Sequence, residues 1–198
     1  MRVLKTVGIV AALSAAVLFA GCSIGTKAPP AATATNTPAP AVPSPTSGFT
    51  TFTSADGVYG LNYPSDWGKS AVNTSPVVNG EAFFSADATS YFLALPLNMK
   101  VSPDQYGEFA TGLAGGFGGT DSHVSATTTT TSFGGKTWTE VDGTTSVKGV
   151  ASDLKVYGTS LGSNTIFIVT IAPSASASTV TGTDFQPMLS SFTFLKQS

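Results

Sequence analysis

His123 is the only histidine in the chain, and Asp121 lies two residues before it. A histidine oriented by a carboxylate can act as a general base for a serine nucleophile, and residues two apart on a strand project from the same face. The signal here is one histidine in a stretch rich in serine and threonine. This composition favours a solvated histidine at the start of a strand, with catalysis as the alternative.

Glu140 and Asp142 are a second pair with the spacing of one strand face. Two carboxylates serve acid–base chemistry only if they are sequestered and their pKa values are driven apart. On an exposed strand they form a solvated edge, which is the interpretation favoured here, so no catalytic residue is predicted. The sequence contains no histidine pair, cysteine cluster or Asp-x-Asp-x-Asp-Gly loop, and therefore predicts no metal site and no cofactor.

The single cysteine, Cys22, follows an apolar run from Val7 to Ala20, which Arg2 and Lys5 precede. A charged start, a short apolar core and small residues before the cleavage point are typical of an export signal. The run is also shorter than the roughly 20 residues of a membrane-spanning helix. The sequence therefore predicts a signal peptide at residues 1–21.

The residues Leu18-Phe19-Ala20-Gly21-Cys22 resemble the lipobox at which bacterial lipoprotein precursors are lipidated and cut. Phe19 departs from the leucine that is usual at its position. The resemblance implies that Cys22 becomes the lipidated N-terminus and that its acyl chains hold an extracytoplasmic protein on the bacterial cell membrane. An ordinary secretory signal with an incidental cysteine is the alternative.

Beyond the signal peptide, the chain carries a mild excess of acid. Removing Arg2 and Lys5 from the nine basic residues leaves seven lysines against eleven acidic residues, and no arginine remains. Nucleic acid binding requires clustered Lys and Arg, and docking on anionic headgroups requires a basic patch. Nucleic acid is therefore not a predicted partner, and membrane attachment is assigned to the lipid on Cys22.

Residues 23–48 are dominated by Ala, Pro, Thr and Ser, with one charged residue and no aromatic residue. Such a segment cannot bury enough apolar surface to offset its ordering entropy. We therefore divide the chain into a signal peptide at 1–21, a lipidated cysteine with a disordered tether at 22–48, and one globular domain at 49–198.

Within the domain, alternation of bulky with small or polar residues predicts a series of strands. They are expected at residues 49–53, 57–63, 82–84, 91–95, 123–131, 137–144, 154–158, 165–171 and 192–195. Residues 165–171 are apolar at nearly every position, which predicts a central strand. Gly134-Gly135 is a turn that suits a hairpin.

Two helices interrupt the strands. Ser102, Pro103 and Asp104 supply a cap, a first-turn proline and an acid for the helix dipole, and glycines 115–116 stop this first helix. A second helix is expected to begin near Thr183 with Pro187 in its first turn, because proline inside a helix costs about 3 kcal/mol. Runs of strands with inserted helices predict an α+β fold, a twisted antiparallel β-sheet flanked by helices.

Three segments carry a family resemblance: residues 60–67 (GLNYPSDW), 134–138 (GGKTW) and 185–192 (FQPMLSSF). In order and spacing they resemble the photosystem PsbP and Mog1 superfamily, in particular its bacterial lipoprotein members, over nearly all of residues 49–198. The resemblance implies an α/β/α sandwich. It implies little about activity, because its members include photosystem subunits, nuclear-transport factors and envelope lipoproteins.

The sequence as a whole predicts a noncatalytic binding or accessory module whose partner is a protein or an apolar ligand. Binding needs surface shape and a few aromatic anchors. The candidates are Tyr91, Trp138 and Tyr157, with a place in the core as the alternative for Trp138. A hydrolase with an unadvertised site and a structural envelope component are the alternative functions.

Overall fold

Two antiparallel sheets organise the domain in a computed structural model that describes residues 39–75, 78–116 and 119–196. The main sheet has seven strands in the order β3-β4-β5-β9-β8-β7-β6, and the small sheet has three in the order β1-β2-β10. The predicted signal peptide, Cys22 and the first part of the predicted tether lie outside the described residues. The strands are β1 (Phe49–Thr53), β2 (Tyr59–Pro64), β3 (Gly68–Ser75), β4 (Val78–Phe84), β5 (Tyr91–Leu97), β6 (Gly119–Phe133), β7 (Lys136–Val147), β8 (Val150–Leu161), β9 (Asn164–Pro173) and β10 (Thr193–Phe194).

Tight turns set the register of the last four strands of the main sheet. Gly134 and Gly135, with φ angles of 58° and 72°, join β6 to β7 as the sequence predicts. Lys148 and Gly149 join β7 to β8 with φ angles of 51° and 81°. Positive φ at both central residues is the mark of two-residue hairpin turns whose twist matches that of the strands.

β9 is the central strand, with three strands on either side of it. Every residue from Thr165 to Ala172 is buried. An almost unbroken apolar run is what a strand covered on both faces requires, so the predicted central position is confirmed. β3 is the one long strand that the sequence analysis did not predict; its residues are small or polar and lack a clear alternation.

One face of the main sheet, here the α1 face, packs against a helix. A 3₁₀ turn (Pro103–Gln105) leads into α1 (Tyr106–Gly116). The backbone N–H of Ser102 donates to Oε1 of Gln105 at 3.3 Å, one half of a capping box. Tyr106 and Ala110 are buried, and they pack with Leu93, Val156 and Phe167.

The opposite face, here the aromatic face, is covered by the small sheet and by the C-terminal helical segment. Its buried residues include Phe83, Phe92, Trp138 and Phe192. The helical segment consists of α2 (Ala177–Val180), a π-helical turn (Thr181–Phe185) and α3 (Gln186–Ser191).

The start predicted for this helix, near Thr183, is wrong because the helix begins at Ala177. Pro187 has no N–H to donate to the previous turn, and its ring crowds the carbonyl four residues back. The π turn widens the helix just before Pro187, which is one of the ways in which a helix accommodates an interruption of its hydrogen-bond ladder. The two sheets and flanking helices confirm the predicted α+β class.

Candidate functional site

A groove lies between strands β7 and β8 and the C-terminal helical segment. Two neighbouring cavities of about 460 and 300 Å³ form it, and they share Lys155, Thr181 and Gln186. The larger cavity is bordered by Asp153 and Phe185, among others. The smaller one is lined by β-strand and α3 residues: Thr131, Ser132, Phe133, Glu140, Tyr157, Leu189 and Ser190.

The floor of the groove holds a bridged pair of carboxylates. In the β7–β8 register, Glu140 lies opposite Tyr157 and Asp142 lies opposite Lys155, so all four side chains project from the aromatic face. The ammonium of Lys155 donates to Oε1 of Glu140 and to Oδ1 of Asp142, both at 2.6 Å. Glu140 and Asp142 are thus joined through one cation and are not a free pair on a solvated edge.

Burial differs within this triad. The Glu140 side chain is 16% exposed, Lys155 38% and Asp142 57%. Desolvation lowers the pKa of Lys155, but hydrogen bonds to Asp142 and Glu140 raise it by more, so the net shift is upward. Lys155 therefore stays protonated at neutral pH and holds both carboxylates in place.

Charge in the groove is predominantly acidic. Asp153 lies two residues before Lys155, on the same face of β8. Its Oδ1 accepts a hydrogen bond from Ser174 Oγ at 2.5 Å. The groove thus presents three carboxylates to one ammonium. Free carboxylate oxygens accept hydrogen bonds from donors on a ligand.

Aromatic rings form the end wall of the groove. Phe133 stacks on Trp138 at a centroid distance of 4.4 Å and meets Tyr157 edge to face at 5.7 Å. The pKa of Tyr157 is raised, first by desolvation and then by the nearby charge of Glu140. Its hydroxyl consequently stays protonated, and this wall offers an apolar ring beside the polar floor.

The structure separates the three aromatic candidates that the sequence singled out. Tyr157 lies at the groove with 6% of its surface exposed, and Trp138 lies behind Phe133 with none. The indole N–H of Trp138 donates to the carbonyl of Phe133 at 3.0 Å. Tyr91 packs on the α1 face, and its hydroxyl donates to the carbonyl of Ala88 at 2.7 Å. Of these three candidates, Tyr157 alone lines the groove.

His123 lies on the edge strand β6, exposed and opposite Thr144. Among the described residues, the chain contains one Gly-x-Ser-x-Gly sequence, Gly158-Thr159-Ser160-Leu161-Gly162. It ends β8 and enters the β8–β9 hairpin, whereas a nucleophile elbow joins a strand to a helix. Across β7, His123 aligns with Asp153, which is seven residues or about 23 Å along β8 from Ser160. The structure therefore does not bring His123 to Ser160.

Among the described residues, no group of three or more His, Cys, Asp or Glu side chains is placed to hold a metal ion. Over the same ranges, no helix is long and apolar enough to cross a bilayer.

A larger cavity of about 640 Å³ lies beside the Gly134–Gly135 turn. Its charged residues are Lys136 and Lys196, and the ammonium of Lys196 donates to the carbonyl of Asp56. This cavity lacks the bridged charges that distinguish the groove, which is the reason for assigning the site to the groove despite its smaller cavities.

Lys155 and Phe133 are the site residues that sequence analysis missed. A signal for Lys155 was present in Val147-Lys148-Gly149-Val150, a sequence that suits a two-residue hairpin turn. Pairing Val147 with Val150 places Asp142 opposite Lys155. The position of Phe133 against the groove depends instead on the C-terminal helical segment, which no local pattern places.

Comparison with protein-family models and with curated proteins finds no match. Solved structures do show similarity. The solution structure of cyanobacterial PsbP (CyanoP) from Synechocystis is 14% identical, with a TM-score of 0.54 over 76% of this chain and 94% of that one. At this identity the likeness concerns the fold alone, and it confirms the predicted PsbP/Mog1-like fold.

Two further structures are similar at lower scores. A protein from Bacteroides thetaiotaomicron is 14% identical with a TM-score of 0.49, over 76% of this chain and 50% of that one. LpqN of Mycobacterium tuberculosis, described as involved in cell envelope biogenesis, is 16% identical with a TM-score of 0.46, over 75% of this chain and 91% of that one.

Proposed function

We propose that the protein is a noncatalytic binding module, anchored outside the cytoplasm through a lipid on Cys22, and that the groove beside Lys155 is its ligand site. The observation that carries the proposal is the bridged triad of Glu140, Lys155 and Asp142 on the floor of an open groove. Charges fixed by one another are preorganised for binding, because little side-chain entropy remains to be lost. The PsbP-like fold is compatible with this function but does not by itself select it.

Binding accounts for the groove chemistry better than catalysis does. A general acid or base must exchange a proton near neutral pH. The pKa of Lys155 and the pKa of Tyr157 are both raised, so both groups keep their protons. Glu140 and Asp142 are occupied as acceptors for the same ammonium. These four groups can orient a ligand, and Lys155 and Tyr157 do so without exchanging a proton near neutral pH.

The groove suits a partner that offers hydrogen-bond donors next to an apolar group. The donors would meet the carboxylates of Glu140 and Asp153, while the apolar group would rest against Phe133 and Leu189. A segment of a partner protein meets this description, and so does a small ligand with a polar and an apolar side. This proposal keeps Tyr157 from the predicted aromatic contacts and puts Phe133 in place of Trp138 and Tyr91.

The anchor is tested by Cys22→Ala. Lipidation requires the thiol, so the variant should be released from the membrane or remain as unprocessed precursor. Mass spectrometry of the native protein should find a diacylated or triacylated Cys22 at the N-terminus. An unmodified cysteine, or cleavage at another position, would contradict the anchoring part of the proposal.

Site-directed photo-crosslinking in native membranes tests the groove. A photoreactive phenylalanine analogue at Gln186, which is exposed and borders both cavities, should give a discrete cross-linked product. The same analogue at Asp104, exposed before α1, is the matched control and should give none. Lys155→Met should abolish the Gln186 product, because it removes the cation that orders the floor.

Circular dichroism of the Lys155→Met protein verifies that the domain is still folded. Equal cross-linking from Gln186 and Asp104 would contradict the groove assignment. A Gln186 product that survives Lys155→Met would contradict the role given to the triad.

A further inference from the structure

Strand β2 is buried on both of its faces, although it belongs to a sheet of three strands. Tyr59 and Leu61 project into the aromatic core. Gly60 and Asn62 project from the other side of the strand, and they too are buried. A strand of a small sheet has a buried outer face only if another part of the chain covers it.

The cover comes from residues that precede β1. A Cβ atom placed on Gly60 would lie 2.3 Å from Cγ2 of Val42 and 3.4 Å from Cδ1 of Leu195. Val42 therefore fills the space that the missing side chain leaves above β2. Because these contacts begin before Phe49, residues 42–48 do not behave as a free linker.

A hydrogen bond fixes the same segment to the sheet. Nδ2 of Asn62 donates to the carbonyl of Pro43 at 2.9 Å. The Asn62 amide is itself held, since its Oδ1 accepts from Oγ1 of Thr51 at 2.8 Å. A buried amide left without a partner is destabilising, so the bond is a specific attachment.

The path of the segment follows from its contacts. Val42 lies at Gly60, Pro43 bonds Asn62, and the carbonyl of Gly48 accepts from the N–H of Ser65 at 2.9 Å. Residues 42–48 thus run alongside β2 in the same direction before β1 returns. Pro40, at the beginning, borders the cavity beside the Gly134–Gly135 turn.

We infer that residues 40–48 form a docked strap, and that the chain enters the domain beside the Gly134–Gly135 turn and not at Phe49. β7 connects that turn to the Lys148–Gly149 turn at the other end of the main sheet. With the lipid anchor of the proposed function, the tether to the membrane joins the domain at the Gly134–Gly135 end, and the Lys148–Gly149 end lies at the opposite end of the main sheet.

The single cysteine makes the entry point measurable without adding a thiol. A nitroxide on Cys22 of the chain 22–198 broadens the amide NMR signals of residues close to it. As a flexible coil, the stretch from Cys22 to Pro40 has an end-to-end distance of about 23 Å. Broadening should therefore be strongest at Gly134, Gly135 and Lys196 and weakest at Lys148 and Gly149, relative to the reduced nitroxide.

Val42→Asp tests whether the strap causes this pattern. A charged side chain cannot occupy the apolar space above Gly60, so the strap should detach. Broadening should then fall at Gly134 and Gly135 and rise near Ser65, where a detached chain would enter. Ala41→Asp adds the same charge at an exposed neighbouring position and should keep the wild-type pattern.

Two results would overturn the inference: broadening centred on Ser65 in the unmodified chain, or an unchanged pattern in Val42→Asp. Because the experiment is done in solution without lipid or ligand, neither result depends on lipidation of Cys22 or on the groove. A failure of the proposed function would therefore leave the outcome of this test unaffected.

Discussion

The α1 face of the main sheet is mainly aliphatic, whereas the opposite face is mainly aromatic. Two aromatic residues, Tyr106 and Phe167, occur among the buried residues of the α1 face. Nine occur in the other cluster: Tyr59, Trp67, Phe83, Phe92, Trp138, Tyr157, Phe185, Phe192 and Phe194. The two faces are therefore covered by different means.

Small residues allow the close approach of α1. Ala110 and Ala114 are buried in the helix, and Gly158 of β8 gives room to the Tyr106 ring. On the aromatic face, short helical pieces and a small sheet leave an uneven layer, which rings fill through tilted and edge-to-face contacts. This irregular cover leaves the groove at β7 and β8, so the same feature that demands aromatic packing also creates the candidate site.

The largest expected effect comes from Trp138→Ala on the aromatic face. Trp138 has no exposed surface and contacts Phe133, Phe192 and Phe194. Its removal leaves a large cavity and should lower the free energy of unfolding by about 3–5 kcal/mol, measured by urea denaturation. Val141→Ala, on the α1 side of the same strand, is the control and should cost about 2 kcal/mol. An equal or larger loss of stability in Val141→Ala would contradict the larger contribution of the aromatic face to the free energy of unfolding.

Gly158→Ala should have an intermediate effect, confined to the α1 face. The added Cβ would lie 2.4 Å from Cε2 of Tyr106 and 2.8 Å from Cε1 of Phe167. Such overpacking should cost about 1–3 kcal/mol in the same denaturation assay.

Gly112→Ala is the matched change within α1, where an added Cβ meets no atom within 4 Å. It should stabilise the helix by about 0.8–1 kcal/mol. If Gly158→Ala and Gly112→Ala changed the free energy of unfolding in the same direction, the close packing of Tyr106 on Gly158 would not explain the effect of Gly158→Ala.

The smallest effect is expected at Asp184, in the π turn over the aromatic face. Desolvation raises the pKa of Asp184, the charge of Asp66 raises it further, and a hydrogen bond with Thr183 opposes both. The folded protein thus binds this proton more tightly than the unfolded chain. The stabilising contribution is complete below the unfolded pKa of 3.8 and is lost as the pH rises through the folded value.

Asp184→Asn should therefore raise Tm slightly at pH 7, and the difference should vanish near pH 3. For Asp87, in the β4–β5 loop, the pKa shift has the opposite direction, because hydrogen bonds from Ser85 and Thr89 lower its pKa. The ionised Asp87 carboxylate stabilises the folded protein above its unfolded pKa, and this stabilisation is lost as the pH falls through the folded pKa. Asp87→Asn should therefore lower Tm slightly at pH 7. Differential scanning calorimetry at pH 7 and pH 3 measures both changes in Tm. Changes of the same sign at pH 7 would contradict the opposite pKa shifts of Asp184 and Asp87.

Local patterns predicted the elements whose signals are complete within a few residues. The Gly134-Gly135 turn, the start of the first helix around Ser102 and the apolar run of β9 were all found in this way. β3 was missed because its small and polar residues carry no period. The start of the C-terminal helix was misplaced because the cost of Pro187 was applied to a regular helix, whereas the π turn absorbs the interruption.

The candidate site was predictable only in fragments. Glu140 and Asp142 were recognised as a pair on one strand face, but their meaning depends on Lys155 of the next strand. Trp138 and Tyr157 were recognised as aromatic anchors without information on depth. Which ring faces the groove is decided by the C-terminal segment, more than forty residues further along the chain than Trp138.

The sequence by itself determined the α+β class and the central strand, because period and turn chemistry are local properties of a chain. The division into signal peptide, tether and domain stays a prediction. Only the tertiary structure decided that Lys155 bridges two carboxylates, that Trp138 is buried behind Phe133, and that Val42 covers Gly60. The contacts of Lys155 and Val42 join different segments of the chain, and Trp138 packs against Phe192 and Phe194 from the C-terminal part. Their energy depends on burial and register, which exist only once the sheets have formed.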